Sequence, residues 1–201
     1  MKRAALIVHL WLSGVVLFGI GCGADEDTLA PDPGALDALN RGWAAYAAGD
    51  FSNALLEFER AANLDETLAD AQNGIGWARL SLVEGAPESS VLDLAVDAFT
   101  EALRKDGNLA DAWVGMGQAL FLRRASADEL RDAARAFASA RDVPSETLFR
   151  HDYSSLADIY ALEAWCYYYT GDLDAARSRA NAALEARAET PSARLLVELL
   201  R

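Results

Sequence analysis

The chain has 201 residues, of which 52% are apolar and 24% are charged, and this globular composition excludes collagen-like, fibrous and wholly disordered proteins. Its 31 acidic and 18 basic side chains give a formal net charge of −13, which would repel a phosphate backbone and argues against nucleic-acid partners. Two histidines and two cysteines are too few for a multi-His or multi-Cys metal cage. We therefore expect no bound metal and no cofactor.

The N-terminal segment has the pattern of an export signal. Residues 1–3 are a short cationic start, and residues 4–20 are an apolar run that ends in small residues instead of a positive cluster. Residues 18–22 resemble a bacterial lipobox. This resemblance implies a lipoprotein-type signal peptide over residues 1–21 and acylation of Cys22, which would hold the chain to a membrane of the bacterial cell envelope, at the outer membrane or its periplasmic face. Cleavage after Ala24, giving a secreted or periplasmic protein, and an uncleaved anchor stay open as alternatives.

The next segment has no hydrophobic period. Residues 22–34 are acidic and contain two prolines, which is typical of a disordered linker. We predict an acidic disordered tether over residues 22–34 and a folded domain over residues 35–201.

The rest of the chain repeats one pattern four times. Each copy has a first segment with a small residue and a second segment with a stripe of small and aromatic residues at spacings of 4 and 3, which lie on one side of a helix. The small residues are Gly42, Gly76, Gly117 and Ala164, and the middle residues of the stripes are Phe58, Phe99, Phe137 and Ala180. The spacings within and between the first copies give a period of 34 residues.

This pattern resembles the tetratricopeptide repeat (TPR). The TPR turn of Gly, Asp and an aromatic residue stands at Gly49–Asp50–Phe51, with a variant at Gly171–Asp172–Leu173. The resemblance implies an all-α fold: an α-solenoid of about four TPR helical hairpins and a C-terminal capping helix. The repeats are predicted at approximately 35–68, 69–109, 110–147 and 154–189, and the capping helix at 190–201.

The departures from the period fall where helical hairpins tolerate them. Extra residues lie at 84–90, at 125–128 and after Pro144, in segments rich in loop-forming residues. In the capping helix we expect one apolar face, formed by Leu195, Leu196, Leu199 and Leu200, to cover the last repeat.

The glycines predict close helix packing. A glycine inside a helix costs about 1 kcal/mol relative to alanine, so glycines at matching positions indicate a need for close packing. We expect the aromatic ring of the second helix in the same repeat to pack against each glycine. Because Ala180 stands where the other copies have phenylalanine, we expect a thinner core in the fourth repeat.

We predict no catalytic residues. His151 has no nucleophile motif near it and is expected to be a solvated loop residue, and Cys166 is expected to be a small buried side chain. Glu163 stands where the repeat normally has leucine. We expect it to pair with Arg141 or Arg150, with a ligand-contacting role as the alternative.

The resemblance also implies a partner-binding groove, because helix residues that follow the small residue line the inner wall of TPR solenoids. The corresponding residues are Trp43, Tyr46, Trp77, Leu80, Gln118, Phe121, Leu122, Trp165, Tyr168 and Tyr169. Either these aromatic side chains are anchors for a peptide, or they pack on one another. A basic cluster elsewhere is expected to be solvated surface and consists of Arg123, Arg124, Arg131 and Arg135.

Three functions compete at this stage. The first is a non-catalytic scaffold or adapter, tethered to the cell envelope, that binds a protein or peptide partner through the aromatic groove. The second is an envelope protein that contacts or processes glycans, with Trp and Tyr as sugar platforms and Glu163 as a carboxylate. The third is a structural module that only associates with itself.

Overall fold

The computed structural model describes residues 30, 32–83, 89–144, 148, 150, 151, 153 and 155–201. The predicted signal peptide over residues 1–21 and the predicted acylation site Cys22 lie outside the described residues. The tether prediction also lies outside them, except at its C-terminal end.

The described part of the chain forms nine α-helices, and the predicted all-α solenoid of four helical hairpins with a C-terminal capping helix is confirmed. Consecutive helices pack against each other along the whole series. The hairpins are α1 (Pro33–Ala47) with α2 (Phe51–Leu64), α3 (Ala69–Ser81) with α4 (Ser89–Lys105), α5 (Ala110–Arg123) with α6 (Ala127–Asp142), and α7 (Leu156–Thr170) with α8 (Leu173–Ala186), followed by α9 (Pro191–Leu199).

Helix α1 begins inside the segment predicted as tether. The side chain of Asp32 accepts hydrogen bonds from the backbone N–H groups of Gly34 and Ala35, and Pro33 occupies the first helical position. An acidic cap before a proline is a strong helix start, so the fold extends two residues further toward the N-terminus than predicted. No helix among the described residues is long and apolar enough to cross a membrane.

The two Gly-Asp turns have the same construction. Gly49 and Gly171 have φ values of 78° and 82°, a left-handed conformation that glycine adopts without a Cβ clash. The next residue, Asp50 or Asp172, caps the following helix by accepting a hydrogen bond from the backbone N–H three residues later.

Two of the three buried phenylalanines are held between two glycines, and the third contacts one. A Cβ added to Gly42 or Gly74 would lie less than 3.0 Å from the ring of Phe58, and one added to Gly76 or Gly115 would lie equally close to Phe99. Gly117 has the same relation to Phe137. The predicted contact between glycine and phenylalanine is therefore confirmed in the first three hairpins. A second contact, to the first helix of the next hairpin, joins successive repeats.

The fourth hairpin has a core of its own, made mostly of alanines, as its lack of phenylalanine predicted. Ala164, Ala176, Ala180 and Ala183 are fully buried in it, and the capping helix adds Ala193, Leu196 and Leu200. The predicted four-leucine face of the cap is wrong, because Leu195 and Leu199 are 51% and 54% exposed. Helix α9 contacts its neighbours along a narrow stripe that contains Ala193 and Leu196, and Leu195 and Leu199 lie beside this stripe.

Candidate functional site

The residues predicted to line the groove lie on α1, α3, α5 and α7, and we call the surface that they form the inner face. Their exposure differs along the solenoid. Trp77 is 1% exposed, and Tyr46 and Leu80 are each 7% exposed. Tyr169 is 49% exposed. The half-buried residues between these extremes are Trp43, Gln118, Phe121, Leu122, Trp165 and Tyr168.

Residues from the connection between α6 and α7 cover the inner face at α1 and α3 and reach Gln118 of α5. The imidazole of His151 lies 5.4 Å from the Trp43 ring centroid and 4.4 Å from that of Trp77. The guanidinium of Arg150 lies 4.5 Å from the Trp43 ring centroid, and the hydroxyl of Tyr153 donates a hydrogen bond to the Gln118 side chain. These contacts explain the burial of this part of the inner face.

The side chains of Arg150 and His151 in the connection lie beside carboxylates. Arg150 Nη1 lies 2.6 Å from Asp70 Oδ1 and 3.9 Å from Asp111 Oδ2, and His151 Nε2 lies 3.2 Å from Asp111 Oδ1. The Asn73 side chain donates hydrogen bonds to both carboxylates, at 3.0 and 2.8 Å. The interpretation of His151 as a solvated loop residue is wrong, since its side chain is 12% exposed among aromatic rings and a buried carboxylate.

Asp70 and Asp111 were not singled out from the sequence, although a signal was present. The tetrapeptide Leu-Ala-Asp-Ala occurs twice, at residues 68–71 and 109–112. In each copy the aspartate stands six residues before the small glycine of the repeat. Equivalent positions on successive hairpins place both carboxylates on the same side of the solenoid. Asp158 takes the same position before Ala164, and there it binds Arg187 and closes the capping box of α7 with Ser155.

The last part of the inner face keeps an accessible group of rings, which we call the α5–α7 patch and which consists of Phe121, Trp165, Tyr168 and Tyr169. Adjacent ring centroids lie 5.5 to 6.1 Å apart, from Phe121 through Tyr169 to Trp165 and Tyr168. Packing among the rings leaves Tyr169 half exposed. Tyrosine and tryptophan presented in this way are typical anchors of protein interfaces.

A cationic side chain lies over one end of the patch. The guanidinium carbon of Arg124 is 5.6 Å from the Phe121 centroid and 5.7 Å from that of Tyr169. Arg124 ends helix α5 with φ 43° and ψ 38°, and it is the one non-glycine residue with a positive φ in the described part of the chain. That conformation costs a residue with a Cβ about 1 to 2 kcal/mol, and glycine usually takes this place.

The remaining arginines of the predicted basic cluster have nearby carboxylates. Arg123 pairs with Asp93 at 2.6 Å and with Glu129, Arg131 pairs with Asp128, and Arg135 pairs with Asp132. These pairs neutralise the cluster locally. Arg124 differs from its neighbours in facing rings.

Glu163 is fully buried between two arginines. Its carboxylate lies 3.0 Å from Arg141 Nη2, as predicted, and 2.9 Å from Arg179 Nε, which the sequence did not indicate. Burial raises the pKa of Glu163, and the two arginines act in the opposite direction. The other predicted partner, Arg150, binds Asp70 instead. A carboxylate enclosed in this way does not reach a glycan at the surface.

Cys166 is buried, as predicted. Burial raises the pKa of its thiol to about 12, and the nearby carboxylate of Glu163 adds to the effect. The group is therefore a protonated thiol at neutral pH. Among the described residues, no cluster of three or more His, Cys, Asp or Glu side chains could hold a metal ion.

Several solved structures resemble this architecture. MamA matches with a TM-score of 0.62 and 18% identity over 79% of this chain and 81% of that chain. PilF of Pseudomonas aeruginosa matches with a TM-score of 0.64 and 16% identity over 83% of this chain and 67% of that chain. YrrB, described as a TPR protein with an unusual peptide-binding site, matches with a TM-score of 0.63 and 19% identity over 83% of this chain and 75% of that chain. The chain has the TPR fold. The sequence matches no protein-family model and no curated protein.

Within this TPR solenoid, the connection before the fourth hairpin divides the inner face into two parts. The part around Trp43, Trp77 and Gln118 is covered by side chains of the same chain. The part that carries the α5–α7 patch leaves Tyr169 half exposed and the other three rings partly exposed.

Proposed function

We propose that the protein is a non-catalytic scaffold of the bacterial cell envelope that binds a protein or peptide partner through the α5–α7 patch. The observation that carries this proposal is the partly exposed aromatic surface on the inner face of a TPR solenoid. Half-exposed Tyr169, with Trp165 and Tyr168 beside it, offers a large rigid contact area that loses little conformational entropy on binding. The likeness to YrrB supports a peptide as the partner.

The absence of catalysis is part of the proposal and rests on the side chains with the most reactive chemistry. Cys166 is a buried thiol, Glu163 is closed between Arg141 and Arg179, and His151 is engaged by Asp111 and two tryptophans. None of the three combines an accessible surface with a second catalytic group, which a nucleophile or a general acid requires.

The binding proposal is tested by capture of partners from a detergent extract of the envelope. The double change Trp165→Ala and Tyr169→Ala removes two anchors, and we expect capture of the partner to weaken at least about tenfold, or 1.4 kcal/mol. The helical circular dichroism should be retained, because both side chains lie at the edge of the core. Mass spectrometry with isotope labelling measures the captured amount.

The matched control is Leu56→Ser on α2. Leu56 is 66% exposed and lies away from the inner face, so its replacement removes an exposed apolar side chain of a different surface. Capture that is equally reduced by Leu56→Ser, or unchanged by the double change, would contradict binding through the α5–α7 patch.

The envelope tether is tested at Cys22. We expect Cys22→Ala to abolish incorporation of labelled palmitate and to release the protein from the membrane fraction, because the thiol is the proposed acylation site. Cys166→Ala is the control, since that thiol is buried and should leave the label unchanged. Membrane retention of the Cys22 variant would instead favour an uncleaved anchor.

A further inference from the structure

Arg124 lies beside the α5–α7 patch and carries a charge that no carboxylate of the described residues neutralises through an ion pair. Among the described residues, no carboxylate forms an ion pair with Arg124, whereas Arg123, Arg131 and Arg135 each have at least one. Arg60 and Arg201 likewise form no ion pair among the described residues, but neither of them lies over an aromatic ring there. The guanidinium of Arg124 instead lies over the rings of Phe121 and Tyr169.

This arrangement leaves the donors of the guanidinium available. An arginine that contacts ring faces keeps its N–H groups at the edge of the guanidinium plane, where they can bind a carboxylate through two parallel hydrogen bonds. The same rings provide an apolar surface beside that edge. A ligand that matches both features has a carboxylate adjacent to an apolar or aromatic group.

The backbone of Arg124 indicates that this placement is maintained against a local preference. Glycine would end helix α5 without steric cost, but the chain has a long cationic side chain in a left-handed conformation. A strained residue next to an exposed aromatic surface is typical of binding sites.

We propose that the α5–α7 patch receives an internal aspartate or glutamate of the partner segment, flanked by an apolar side chain, and that Arg124 binds its carboxylate. This inference rests on the proposed function, because it assigns the chemistry of the segment that the patch would bind. The excess negative charge elsewhere on the chain restricts where an acidic segment can bind, because the segment is attracted at Arg124 and repelled by most other surfaces.

Three acetylated and amidated fluorescent peptides, which carry no terminal charge, test the proposal on the full chain in detergent. Their cores are Leu-Glu-Phe-Glu-Leu, Leu-Gln-Phe-Gln-Leu and Leu-Lys-Phe-Lys-Leu, and fluorescence anisotropy gives each Kd. We expect the Glu peptide to bind about fivefold or more tightly than the Gln peptide, and the Lys peptide to bind most weakly. Equal affinities, or no binding of the Glu peptide up to about 1 mM, overturn the proposal.

Variants separate this role from a structural one. Arg124→Gly removes the charge and relieves the left-handed strain, so we expect the preference for Glu over Gln to vanish while the thermal midpoint rises. Arg131→Gln, which removes a nearby arginine outside the patch, should keep the preference. A preference that survives Arg124→Gly overturns the assignment.

The same peptides distinguish failure of this inference from failure of the proposed function. If Glu and Gln peptides bind equally and both are lost with Trp165→Ala and Tyr169→Ala, the patch binds apolar segments without charge selection, and only the carboxylate assignment is overturned. If that double change affects neither peptide, binding through the patch is overturned as well.

Discussion

Gly115→Ala is expected to destabilise the protein by about 2 kcal/mol or more, although alanine is the better helix former. The added methyl group would lie less than 3.0 Å from three atoms of the Phe99 ring, which is fully buried and cannot move away. Overpacking of this kind typically costs 1 to 3 kcal/mol, and the severe overlap here favours the upper end even after about 1 kcal/mol of gained helix propensity. Urea unfolding followed by circular dichroism measures the difference.

Two controls accompany this prediction. Gly107→Ala makes the same change in a turn where the nearest atom would be 3.8 Å away, and it should leave stability nearly unchanged. Phe99→Leu should partly rescue the Gly115 variant, because a smaller side chain makes room for the methyl group. Equal stabilities of the Gly107 and Gly115 variants would show that the ring does not occupy this position.

Trp77→Ala is expected to cost about 3 to 5 kcal/mol of folding stability, the range for a large aromatic side chain removed from a core. Trp77 is 1% exposed and packs on Phe99, His151 and Tyr153. Its removal would leave a cavity in the core, and it would also remove the contacts that Trp77 makes between the second hairpin and the connection before α7.

Trp165→Ala is the matched comparison, since Trp165 takes the equivalent place in the fourth repeat. Its ring is half-buried and packs on Tyr168 and Tyr169, so we expect a loss of about 1 kcal/mol. Equilibrium unfolding of the two single variants measures both values. Similar losses would mean that the two ends of the inner face are equally open or equally packed.

The helical architecture was predictable because it depends on short-range spacing. The recurrence of Gly42, Gly76 and Gly117 before Phe58, Phe99 and Phe137 fixes which residues face each other within a hairpin, and the structure confirms these contacts. Gly74 and Gly115 stand in the same Gly-x-Gly pairs but pack on the phenylalanine of the preceding hairpin. That contact depends on the angle between repeats, which the period does not specify.

The division of the inner face was not predictable in the same way. The sequence identifies its ten residues by their position in the repeat, but equal positions do not have equal surroundings. Trp77 and Trp165 differ in exposure because Arg150, His151 and Tyr153 cover one end of the inner face. This difference in exposure depends on a connection that lies outside the repeat pattern. Its contact sites, Asp70 and Asp111, were marked in the sequence only by the two Leu-Ala-Asp-Ala segments.

The attachment of this connection also alters how cooperatively the solenoid unfolds. In a regular repeat array, contacts join only neighbouring units, so terminal units can open singly. Here Arg150 binds Asp70, 80 residues earlier, and stacks on Trp43 of the first hairpin. Opening of the first hairpin would therefore break contacts made by the residues that follow the third, and we expect these three hairpins to unfold as one unit. Helices α8 and α9 are held by an alanine core outside this unit, so we expect them to be the segment that exchanges its amide protons first.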